Sequence, residues 1–291
     1  MSLLSVSSRI TVRLSLISAA MCLSLASGIT RAEEFINFNN MTFVDVPSGS
    51  FKMGSCKGAL PGNPLPPNGC AGGELDVPLN EVPQHDVSVQ AVQMGKTEVT
   101  LGQFKRYIIA TERNELVTDE FMEYNPRGDD APVVQVSWND AKAFIEWLNK
   151  NKPATDHGTY RLPNEAEWEF ACKAGTNILY CGSRTASSVA WHGGNSGSHQ
   201  QSVGRKDANA FGLHDMSGNV WEWVEDCYHD NYSDAPADGT AWVKGCANSE
   251  RVLRGGSWKD ESMKTRSGSR LQAAAVSRSN SIGFRLVRKV P

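Results

Sequence analysis

The sequence predicts one domain of mixed helices and strands whose second half is largely irregular, and three features predict it. Apolar and polar residues alternate over residues 41–53 and 85–94, the period of half-buried strands. Apolar residues at helical spacing follow capping signals at Thr100, Ser137 and Asn164. Beyond Gly175 the chain becomes rich in Gly, Ser, Asn and Trp and loses any long periodic run.

The elements follow in chain order. Residues 41–53 read as one strand that ends at a glycine, and residues 57–73, rich in Pro, Gly and Asn, read as a surface loop. In residues 85–94, Val87, Val89 and Val92 share the buried side of a second strand. Thr100 caps a helix that carries Phe104, Tyr107 and Ile108 on one face. Ser137 and Asp140 form a capping box ahead of Ala141, Phe144, Ile145 and Leu148. Asn164 and Glu167 do the same for a helix through Trp168 and Ala171 that Gly175 ends. No repeat, charge block or linker-like segment divides the chain.

Residues 1–32 read as a signal peptide, leaving a domain of residues 33–291. Arg9 and Arg13 give a positive start, residues 14–29 are apolar and small, and Thr30-Arg31-Ala32 offers a small residue at the cut. No later stretch approaches the roughly 20 apolar residues of a spanning helix. The expected location is the periplasm. Cleavage takes three Arg from the 29 basic residues and none of the 32 acidic ones, so the formal net charge moves from -3 to -6. An acidic chain is a poor phosphate binder, which argues against nucleic acid as a partner. Of the seven Cys, Cys22 leaves with the signal; the remainder are expected to pair locally as Cys56–Cys70, Cys172–Cys181 and Cys227–Cys246.

Several segments carry a resemblance. They are Met53-Gly54, Lys96-Thr97-Glu98-Val99-Thr100, the run Arg161 to Trp168, Gly218-Asn219-Val220-Trp221-Glu222-Trp223, Arg254-Gly255-Gly256-Ser257-Trp258 and Gly283-Phe284-Arg285. In this order, across nearly the whole mature chain, they resemble the sulfatase-modifying-factor (formylglycine-generating enzyme) family. The resemblance implies an α+β, C-type-lectin-like fold with little regular secondary structure and with bound calcium. Asp215, Gly218, Val220 and Glu222 match a family calcium site, the first and last through side-chain oxygens and the middle two through carbonyls. Hard Ca²⁺ accepts such mixed oxygen ligands. The family also lines its active-site pocket at the positions of Trp221, Ser257 and Trp258.

One departure decides the chemistry. Formylglycine-forming members carry two cysteines after Gly-Gly-Ser-Trp that bind copper(I), and here Asp260 and Thr265 stand in their places. Soft Cu(I) needs thiolate, so no copper and no formylglycine are expected. The remaining catalytic candidates are Asp260 or Glu261 as general base, with Ser257, Trp221 and Trp258 around them. The sequence resembles exported cysteine-less members, among them a periplasmic oxidoreductase of pyoverdine chromophore maturation. That resemblance implies metal-independent oxidation of a siderophore-like substrate, dihydropyoverdine to pyoverdine. The alternative is a calcium-binding interaction module with a periplasmic protein partner, as in a regulator of type VI secretion.

Overall fold

Pro47 has no amide hydrogen to give to a ladder, and the first alternating segment breaks there into two strands, Thr42–Val46 and Gly49–Met53. The computed structural model describes residues 34–58, 64, 73–74, 76–246 and 250–291. The proposed signal segment and Cys70 lie outside the described residues. The second alternating segment also divides, into His85–Val89 and Val92–Gly95. Both breaks have one cause. Gly49–Met53 and His85–Val89 pair with each other, while Thr42–Val46 and Val92–Gly95 pair in a different sheet, so two adjacent strands change sheets together. Val87, Val89 and Val92 are all buried, as expected.

That larger sheet has five antiparallel strands in the order Glu34–Ile36, Thr42–Val46, Val92–Gly95, Val287–Lys289 and Thr159–Arg161. A four-stranded sheet runs Arg270–Ala274, Glu250–Arg254, Trp221–Cys227 and Ile282–Phe284. Its last pair is parallel.

Helix α1, Leu101–Thr111, starts on a reciprocal box in which Thr100 Oγ1 accepts the Gln103 amide at 3.3 Å and Gln103 Oε1 accepts the Thr100 amide at 2.9 Å. Helix α2, Asp119–Tyr124, is short and was not foreseen; Thr118 Oγ1 caps it at 3.1 Å. Helix α3, Trp138–Asn151, has the Ser137–Asp140 box, and Ala141, Phe144, Ile145 and Leu148 are buried. Rings of Phe104, Tyr107, Phe144 and Phe284 join α1 and α3 to the four-stranded sheet in one core.

Helix α4, Glu165–Lys173, is buried along its whole length. Glu167 accepts the Asn164 amide at 2.9 Å as expected. The chain turns left-handed one residue early, at Ala174 (φ 43°), and Gly175 (φ 77°) continues the turn. Buried charge on every face of α4 demands partners. Glu169 pairs with Arg254 at 2.5 Å and with Lys173 at 2.7 Å, and Glu165 pairs with Arg270 at 2.6 Å. This network pins α4 against the four-stranded sheet.

Cys172–Cys181 and Cys227–Cys246 are disulfides, and Cys56 is disulfide-bonded as well. The first closes the end of α4 onto the following loop across a sequence separation of 9. Chain entropy assigns a loop of that size about 3 kcal/mol. Replacing Cys172 and Cys181 together by Ala should lower the melting temperature by about 2–4 °C per kcal/mol lost. Peptide mapping of a non-reduced digest checks the pairing, and a peptide joining Cys172 to Cys227 would refute it.

Candidate functional site

The Trp221–Cys227 strand alternates as its sequence demands. Trp221 and Trp223 enter one core, and Trp223 Nε1 donates to Val136 O at 3.0 Å. Glu222 points the other way. It is fully buried and meets Arg285, also fully buried, through Nε at 2.6 Å and Nη2 at 2.7 Å; Trp168 Nε1 adds a third bond at 2.7 Å. Arg285 also donates to Gly95 O at 3.0 Å and His214 O at 2.9 Å. The Gly-Phe-Arg motif therefore closes onto the Trp-Glu-Trp motif.

Next along the site is the Arg254-Gly255-Gly256 turn. Gly256 (φ 76°) lies so close to the 264–265 backbone that a Cβ would come within 2.6 Å of Lys264 O, so only glycine is accommodated. This close approach places Ser257, fully buried, beneath Asp260. Asp260 is half-buried. Its Oδ2 accepts Trp221 Nε1–H at 2.8 Å and the Ser257 hydroxyl in a short bond. Its backbone is tied too, with the Asp260 amide donating to Ser257 O at 3.1 Å and the Gly193 amide to Asp260 O at 2.8 Å. Oδ1 accepts no hydrogen bond from the described residues and is not sealed from solvent. Trp258, half-exposed beside it, is fixed by its amide to Asn219 O at 2.8 Å and by Nε1 to Asn280 O at 3.0 Å.

The two carboxylates that sequence could not separate differ sharply in setting. Glu261 is exposed at the start of a short 3-10 turn, Ser262–Thr265, and its side chain makes no hydrogen bond or ion pair with the described residues. Thr265, at the second cysteine position, is fully buried with Oγ1 bonded to Ser262 O at 2.8 Å. A hard carboxylate and a sealed hydroxyl do not make a copper(I) site.

A second cluster lies behind the strand. Asp215 is buried in a left-handed conformation (φ 57°), and its Oδ2 accepts the Gly204 amide at 2.6 Å. Among the described residues its Oδ1 is buried without a hydrogen-bond partner, and so are both carboxylate oxygens of Glu98. Burial, then the charges of Asp215 and Glu222, push Glu98 well above the usual carboxylate range. Burial raises Asp215 as well, against the opposing Gly204 amide and Arg285. Gly218 (φ 79°) packs against Trp191, where a Cβ would meet Trp191 O at 2.2 Å.

These orphaned oxygens fit a hard cation. Among the described residues no three His, Cys, Asp or Glu are grouped to hold a metal, so Asp215 and Glu98 alone would not complete a cation's shell, and carbonyls or water would have to supply the other oxygens. Both Glu222 oxygens, placed in the ligand set by resemblance, already serve Arg285 and Trp168. Glu98 was not among the candidate residues read from the sequence. Its signal was a lone acid inside Lys96 to Thr100 that begins no helix, and only the fold sends Lys96 to Glu34 and leaves Glu98 in the interior.

Comparison with known proteins shows the family and the fold. The model of the sulfatase-modifying factor enzyme 1-like domain matches residues 30–290. The structure of PvdO from Pseudomonas aeruginosa superposes with a TM-score of 0.72 at 30% identity, covering 89% of this chain and 99% of that one. Treponema denticola variable protein 1 shares the fold, with a TM-score of 0.69 at 24% identity over 88% of this chain and 98% of that one. Among curated relatives, the mouse formylglycine-generating enzyme is 33% identical over 53% of this chain and 43% of its own length. The serine/threonine-protein kinase pkn1 of Chlamydia caviae is 31% identical over 72% of this chain and 35% of its own length. The chain thus spans between a third and a half of the length of these curated relatives.

The Glu222–Arg285 pair carries a clear stability expectation. Removing one partner strands a buried charge, at a cost of about 3–5 kcal/mol. Arg285→Met should therefore lower stability to chemical denaturation by that order, and Arg285→Met with Glu222→Leu should recover part of the loss. A double variant no more stable than the single one would contradict the pairing.

Proposed function

The chain belongs to the sulfatase-modifying factor enzyme 1-like family, and from that premise we propose that it is an exported oxidoreductase acting on a siderophore-type substrate without making formylglycine. The observation that carries the reading is Asp260. A half-buried carboxylate stands at the position of a catalytic cysteine, fixed through Oδ2 and open through Oδ1. A carboxylate so placed serves as a general base. The likeness to PvdO across most of both chains supports the same branch of the family.

The chemistry suits a dihydroquinoline that bears a catechol, as in dihydropyoverdine. Asp260 Oδ1 removes a proton from the electron-rich ring system, and two electrons leave for dioxygen. With the second proton, the products are the aromatised ring and hydrogen peroxide, which balances the step. The half-exposed Trp258, two residues before Asp260, offers an aromatic surface on which a flat ring would gain by stacking. Glu261 lies outside this arrangement.

Oxygen-dependent conversion of a dihydropyoverdine-like substrate, followed by chromophore absorbance, is the test. Asp260→Asn should lose about 10²-fold or more in kcat, the usual worth of a general base, while Glu261→Gln stays near wild type. A sulfatase-type cysteine peptide should remain unconverted. Wild type inert toward every such substrate would favour the interaction module, with a periplasmic protein as its partner. Among the described residues no helix is long and apolar enough to cross a membrane.

Calcium is the structural cofactor in this reading. Asp215 Oδ1 and Glu98 would hold it with the carbonyls of Gly218 and Val220, while Glu222 fixes Arg285 alongside. The two raised carboxylates give the pH dependence its sign. A group whose folded pKa exceeds its unfolded value contributes stability at low pH and loses it as pH rises through the folded pKa. Chelated protein should therefore melt at lower temperature as pH rises from 5 to 8, and calcium should restore most at pH 8, where protons no longer compete. Asp226, pushed up to about 7 by burial and Glu165, adds a slope of the same sign. Glu98→Gln should remove the calcium response and the Glu98 part of the slope, and leave the parts that Asp215 and Asp226 contribute. A melting temperature indifferent to chelator in wild type at pH 8 refutes the site.

A further inference from the structure

We infer that Trp221 and Ser257 are positioning residues that hold Asp260 in one orientation, Oδ2 toward the protein and Oδ1 toward the substrate, so that a single oxygen receives the proton. The inference rests on the oxidoreductase reading and deepens it. Both bonds converge on the same oxygen: the indole N–H arrives at 2.8 Å and the Ser257 hydroxyl makes a short bond. Both donors are themselves packed into the interior. Ser257 is fully buried, and Trp221 is 3% exposed with its ring in the core.

The backbone around the carboxylate is held equally firmly. The Asp260 amide bonds to Ser257 O at 3.1 Å, which closes the 257–260 turn, and the Gly193 amide reaches Asp260 O at 2.8 Å. A Cβ at Gly193 would come within 3.1 Å of Lys259 O and 3.2 Å of Asp260 O, so the 192–196 loop approaches this closely through a glycine. Ser196 Oγ adds a bond to Trp258 O at 2.8 Å. A free aspartate samples rotamers that exchange its two oxygens. Two donors on one oxygen remove that exchange and leave Oδ1 pre-aimed, and orientation of this kind raises turnover without tightening ground-state binding. Glu261, one residue on, has no such donors, which is why adjacency in sequence does not make it equivalent.

Indole ¹H–¹⁵N spectra of protein labelled at tryptophan test the clamp without substrate. The Trp221 signal, identified by its absence in Trp221→Phe, should move upfield in Asp260→Asn and move again in Ser257→Ala. In turnover, Ser257→Ala and Trp221→Phe should each lose about tenfold in kcat with KM within twofold, the pattern of lost orientation. Ser257→Thr, which keeps the hydroxyl, should recover more activity than Ser257→Ala. A Trp221 signal unmoved by Asp260→Asn, or full kcat in both clamp variants of an active enzyme, overturns the inference alone. An inert wild type with the signal responding as expected instead overturns the oxidoreductase reading, and the positioning role falls with it.

Discussion

A fully buried ion pair between Glu222 and Arg285 is the constraint on which the rest of this structure depends. Neither charge survives in a low-dielectric interior alone, so each fixes the other's surroundings. Arg285 spends its remaining donors on Gly95 O and His214 O, and Glu222 takes Trp168 as a third donor. One interaction thereby joins the C-terminal strand region, the Trp221–Cys227 strand, α4 and the central strand of the five-stranded sheet. Because Glu222 is committed on one side of its strand, Trp221 is committed on the other. The indole that reaches Asp260 is placed by a salt bridge on the far face of the same strand.

Around that pair the molecule uses buried charge where a more regular fold uses apolar packing. Arg254, Arg266 and Arg270 pair with Glu169, Glu81 and Glu165 in the interior, and Arg288 pairs with Asp156 near its edge. Few long elements are available to satisfy backbone groups, so arginine forks do this work across loops: Arg254 donates to Ser267 O and Gly268 O, and Arg270 to Asn80 O and His229 O. Loops held this way can carry rigid functional groups. The Asp260 turn is an instance, irregular in backbone yet fixed on every side.

The two carboxylate clusters illustrate opposite solutions to one problem. Asp260 is partly open, and its donors come from side chains placed for it. Glu98 and Asp215 are sealed, with three oxygens that no donor among the described residues meets. Protonation or a cation must supply what is lacking there. In the proposed reading the first cluster exchanges protons with a substrate and the second holds an ion.

The sequence by itself determined the family, the α+β class, three capped helices and two of the local disulfides, because each is written in short-range chemistry. Ser137 meets Asp140 three residues on, Cys172 meets Cys181 around one loop, and Trp221, Glu222 and Trp223 alternate as any extended segment must. The strands were legible in content but not in extent. Residues 41–53 and 85–94 alternate correctly, yet each breaks where its partner leaves one sheet for another, and a sheet change is a property of the pair. Tertiary structure alone distinguished the two candidate carboxylates. Asp260 and Glu261 are adjacent acids with no local signal to separate them. Only the fold brings Trp221, from 39 residues away, to one of them and leaves the other in solvent. Glu98 is the same case in reverse, since its lack of a partner could not be read until the interior around it had been filled.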